Sequence, residues 1–146
     1  MRAVPYTLAV LLFSTGGALA CSCKQQSSDG LLTSSAAIFT AVAQASQPAT
    51  QGEAVTTFRV TAGYKGVTTG QTIMVRHNNG SSASCGVQVR PGETYTMTTY
   101  REEIGTTLFA NLCSVAAMKS AAGQELLRAL MSAGADSPEA DARSRS

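Results

Sequence analysis

Val55-Thr56-Thr57-Phe58-Arg59-Val60-Thr61-Ala62-Gly63-Tyr64-Lys65 carries the clearest periodicity in the chain. Phe58, Val60, Ala62 and Tyr64 alternate with Thr57, Arg59, Thr61 and Lys65, and a period of two residues is that of a strand with one face on a core. Gly63 within it predicts a bulge or bend of the kind that lets a sheet curl. On the C-terminal side, Lys65-Gly66 begins a turn and Gln71 to Arg76 reads as a second strand with Ile73 and Val75 inward. His77 to Ser84 is rich in Asn, Gly and Ser and reads as a loop, with His77 solvated inside it. On the N-terminal side, Ala36 to Ala45 is a nearly continuous apolar run around Ile38, Phe39 and Val42, which suits a strand buried on both faces.

The remaining segments extend this pattern. Lys24 to Ser35 is polar and reads as a loop or short helical turn. Cys85 to Arg90 is short and extended, with Val87 and Val89 on one face, and Pro91-Gly92 turns the chain. Tyr95 to Tyr100 and Thr107 to Leu112 read as further strands, the second delivering Cys113. Ser120 to Ser132 takes helical spacing, with Leu126, Leu127, Leu130 and Met131 as a core-facing stripe that Gly134 ends. Residues 135–146 lack apolar periodicity and read as a disordered tail. Five or six short strands and one terminal helix predict a mainly β fold, a closed or partly closed barrel of oligosaccharide/oligonucleotide-binding (OB) type. A sandwich also accommodates the pattern.

Residues 1–20 read as a secretory leader: Arg2 supplies the positive region, Thr7 to Phe13 the apolar core, and Ala18-Leu19-Ala20 a cleavage pattern ahead of Cys21. The apolar run is too short to span a bilayer. A lipid-modified Cys21 is the rival reading, although Ala18 stands where that signal calls for a large aliphatic residue. Cleavage would leave 126 of the 146 residues, enough for one core. Their 10 basic and 9 acidic side chains are interspersed, unlike the basic face of a nucleic-acid binder. No HExxH, phosphate loop or nucleophile elbow is present, so no enzymatic activity and no cofactor are expected. Glu102-Glu103 reads as a solvated turn rather than an acid/base pair.

Four cysteines in an exported chain favour two disulfides over a metal site. Cys21 and Cys23 are too close in sequence to pair comfortably, since a bridge holds its Cα atoms roughly 4.4 to 6.8 Å apart with defined directions. Each therefore reaches for Cys85 or Cys113.

Five pieces, in order, carry a resemblance: Cys21-Ser22-Cys23, Ser35-Ala36-Ala37-Ile38-Phe39-Thr40-Ala41, Tyr64-Lys65-Gly66-Val67, Ser81-Ser82-Ala83-Ser84-Cys85-Gly86-Val87 and Asn111-Leu112-Cys113. Together they are similar to the amino-terminal domain of tissue inhibitors of metalloproteinases, the netrin-like module, over residues 21–134. The resemblance implies a five-stranded OB-like closed barrel with a helix packed on it, and bridges Cys21–Cys85 and Cys23–Cys113. It implies a secreted or periplasmic, monomeric inhibitor whose partner is a zinc metalloendopeptidase, with no nucleic acid and no membrane span. The free amine and carbonyl of Cys21 would chelate the target's zinc, and Ser22 would enter the specificity pocket. Cys23, Lys24, Ser82, Ala83, Ser84 and Cys85 would complete the ridge.

This chain departs from the family pattern in three ways. The usual third bridge has no cysteines, with Thr33 at the first position; Gln25 replaces a frequent proline; and no second domain is expected after it. A minimal, single-domain form of bacterial type fits these departures. A netrin-like binding module that never touches zinc is the alternative function.

Overall fold

The computed structural model describes residues 21–50, 52–101 and 107–135. The expected leader, the Glu102-Glu103 turn and the tail from residue 136 onward lie outside them. Five strands, β1 (Ala37–Pro48), β2 (Glu53–Lys65), β3 (Thr72–Asn78), β4 (Thr94–Arg101) and β5 (Leu108–Ala110), close into a barrel in the order β1-β2-β3-β5-β4. All neighbours are antiparallel except β3 and β5, and this arrangement is the OB barrel. Helix α1 (Ser28–Ser34) precedes the barrel; α2 (Leu112–Lys119) and α3 (Ala121–Ala135) follow it.

Alternation along β1 and β2 builds two cores. Ala37, Phe39, Ala41 and Ala43 point into the barrel with Phe58, Val60, Val75 and Met97. The Phe58 ring lies 6.4 Å from Phe39 and 6.1 Å, edge to face, from Tyr95. Burying a side chain of this size contributes roughly 1.5–3 kcal/mol. Ile38 points the other way, into a second cluster with Leu31, Met118, Leu126 and Leu127 that glues all three helices to the barrel. β1 is thus buried on both faces over this half.

The bend foreseen at Gly63 is present. Ile38 pairs with Lys65 and Phe39 with Gly63, so Tyr64 is bulged and turns toward the helical cluster. Lys65 then reaches α1, where its Nζ donates to the carbonyls of Leu32 and Ser35 (2.7 Å to Ser35). These are helix-end carbonyls that lack a partner within the helix.

Four expectations are corrected. His77 is not solvated: β3 continues through Asn78, and alternation after Ile73 and Val75 carries His77 inside, where it is 1 % exposed. Residues 85–90 form no strand; Val87 and Val89 pack on the core from an irregular segment. Cys113 lies in the first turn of α2 rather than at a strand end, because β5 stops at Ala110 and Asn111 caps a helix. α3 runs through Gly134 to Ala135, and Met131 is 51 % exposed instead of packed in the core.

Candidate functional site

The N-terminal segment from Cys21 to Ser27 takes no regular secondary structure, and two bridges fix its course. Cys21 joins Cys85 with Cα atoms 5.2 Å apart, and Cys23 joins Cys113 at 5.3 Å. They span 64 and 90 residues of sequence. In the chain-entropy account each stabilises the fold by roughly 4 kcal/mol. The sulfurs of Cys21, Cys23 and Cys113 lie within 4.8 Å of one another, so the bridges sit side by side. No cysteine is free. A resident metal would require thiolates, and here every sulfur is spent in a bridge.

The loop that receives Cys21 is built on close backbone approach. It leaves β3 at Asn78, whose side chain accepts from the Gly80 N–H (3.0 Å) and donates to the Ser84 carbonyl (2.8 Å). A single 3-10 turn, Ser82–Ser84, follows, and the N–H groups of Ser84 and Gly86 both return to the Ser81 carbonyl at 3.0 Å. Cys85 takes the left-handed conformation, φ 59°, which costs a non-glycine residue roughly 1–2 kcal/mol. A β-carbon on Gly86 would collide with the backbone of Gly80, so the loop crosses itself where only glycine fits. Its base is closed by Val87 N–H to Asn78 O (2.8 Å) and Leu112 N–H to Cys85 O (3.0 Å).

Around the first bridge, Ser22, Lys24, Ser82, Ala83 and Ser84 are exposed, while Cys21, Cys23, Cys85 and Cys113 are half-buried. The structure thus brings together two stretches separated by some sixty residues and sets their polar, small side chains outward from a covalently tied centre. Beside it, a shallow cleft between the N-terminal segment and α2 is lined by Cys23, Lys24, Leu31, Tyr100 and Ala117. Asn111 holds Cys113 in place. Its side chain accepts from the Ser114 N–H while the Ser114 hydroxyl accepts from the Asn111 N–H, a reciprocal helix cap.

His77, at the root of the loop, was missed as a site residue. Its Nε2 is 2.8 Å from the Thr56 hydroxyl, and burial holds its imidazole below the ordinary value, an effect the adjacent backbone of Asn78 and Val87 partly offsets. The period-two series Ile73, Val75, His77 was the available signal. Neither the protein-family models nor the curated proteins contain a match to this chain.

Proposed function

We propose that the chain, cleaved after Ala20, is an exported inhibitor of zinc metalloendopeptidases that acts through its own amino terminus. The observation that carries this reading is the Cys21–Cys85 bridge, which ties the first residue of the cleaved chain to an exposed, self-crossing loop on an OB barrel. Both cysteine pairings and the barrel are those the family resemblance implies, which supports it further. Two disulfides also suit an oxidising compartment. Among the described residues no helix is long and apolar enough to cross a membrane.

A catalytic zinc in such a protease keeps one coordination position for water. The Cys21 amine and carbonyl oxygen would take that position as a two-toothed ligand. An α-amine titrates near roughly 7.7–8.0, so a substantial neutral fraction is present at physiological pH. Ser22 would enter the pocket beside the metal. Cys23, Lys24 and the 82–85 turn would line the cleft on either side. Because both stretches are tied before binding, little ordering entropy is lost on association.

The test is to recover the exported protein, determine its mass and terminal sequence, and assay it against a panel of zinc endopeptidases. A terminal Cys21 with a free amine, together with inhibition of at least one protease, is expected. A lipid on Cys21, or no inhibition of any, would leave the netrin-like binding module as the function.

A further inference from the structure

We propose that His77 is an acid-sensitive seat for the ridge: protonating its imidazole opens the 79–87 loop and takes Cys85, with the terminus bridged to it, out of position. Where the loop returns to the barrel, the backbone of Val87 lies beside this ring. Asn78, next in the strand, anchors the loop at both ends, through its carbonyl to Val87 N–H and its side chain to Ser84 and Gly80.

The hydrogen-bond chain assigns the ring's neutral form. Thr56 Oγ1 donates to Ser46 Oγ (2.9 Å), so the contact at 2.8 Å requires Nε2 to carry the proton and donate to Thr56. That leaves Nδ1 as a bare acceptor, and it is buried without a hydrogen-bond partner. A solvent proton landing on Nδ1 would create a cation in a dry site, a cost that the adjacent backbone of Asn78 and Val87 offsets only in part.

Among the described residues, nothing acidic faces that cation. β2 offers Ala54 and Thr56, β1 offers Ser46, and β5 offers Ala110 in register. Glu53 and Arg76, paired at 3.7 Å, alternate onto the opposite face of the sheet. The loop from Asn79 to Val89 contains no ionisable side chain except its bridged cysteine. Lys24 and the Cys21 amine released by cleavage are on the ridge and cationic. Lys119 stands at the far end of α2. Strand pairing holds the ring on both sides, so water reaches it most readily by lifting the irregular loop.

The consequence for inhibition rests on the function proposed above; the opening itself does not, and its test needs no protease. His77 is the one histidine of the chain, so its ring signals in NMR are unambiguous in a tag-free protein. The ring is titrated from about pH 7.5 to about pH 5 while amide hydrogen exchange of residues 79–87 is followed and corrected for intrinsic rates. The expected result is extra opening along the ring's own titration curve, reaching roughly tenfold for each unit by which burial lowers the midpoint. H77Q, which keeps an amide within reach of Thr56, is expected to abolish that rise. Loop exchange that ignores the ring titration, or that rises equally in H77Q, overturns the proposal. If H77Q folds poorly, the native protein decides alone: the two midpoints must coincide, and a mismatch refutes the seat.

Discussion

Gly86 has no room for a side chain, because its α-carbon faces the backbone of Gly80 across the crossing of the loop. G86A is expected to lower stability by about 1–3 kcal/mol, the usual cost of overpacking, as read by urea denaturation. Lys65 acts at longer reach by holding two carbonyls at the end of α1, so K65M is expected to cost about 2 kcal/mol, within the range for hydrogen bonds to a charged donor. Ser22 is exposed and belongs to the proposed ridge rather than the core. On the inhibitor reading, S22G should weaken binding modestly while S22R should spare only proteases with deep pockets, a split visible across a panel. The side chains carrying these effects were unequally legible. Phe58, Val60, Ile73 and Val75 followed the alternation. His77 continued it but sat next to Asn78-Asn79-Gly80, and the turn chemistry of its neighbours outweighed the strand period in the sequence reading.

β2 and β3 were legible as elements because each pairs one face with a core, β1 because its apolar run is buried on both, and the helix α3 because Leu126, Leu127 and Leu130 fall on one side. α2 was not. Its sequence, Leu112 to Lys119, is small and apolar all round and packs between β4 and α3, so no stripe marks it. Its signal was the cap: Asn111 followed three residues later by Ser114. N111A should therefore cost about 1 kcal/mol by denaturation. The Val87–Val89 pair imitated a strand, but the Val87 N–H goes back to Asn78 across the base of the loop, which leaves no ladder for residues 85–90. Whether an extended segment joins a ladder is decided by distant hydrogen bonds, which periodicity does not report.

Closure of the barrel leaves β3 and β5 paired at the end that carries the 79–86 loop and the start of α2, and both bridges gather there. One end of the molecule thus holds every residue of the proposed ridge, and His77 beneath it. Because burial lowers the His77 pKa, the folded chain favours the neutral ring; its contribution to stability is complete above about pH 6.5 and is lost as pH falls toward the lowered value. The melting temperature should accordingly decline across that window, and less so in H77Q. Pairing of the four cysteines came from the family resemblance, since residue spacing alone left each N-terminal cysteine two partners. The proposed function rests on one chemical group, the Cys21 amine. Its direct test compares the protein beginning at Cys21 with one retaining Ala20, both confirmed folded and doubly bridged, against the same zinc endopeptidase. The account predicts that one extra residue raises the inhibition constant at least about thirtyfold, equivalent to losing a contact of about 2 kcal/mol. Equal inhibition by the two proteins would contradict it.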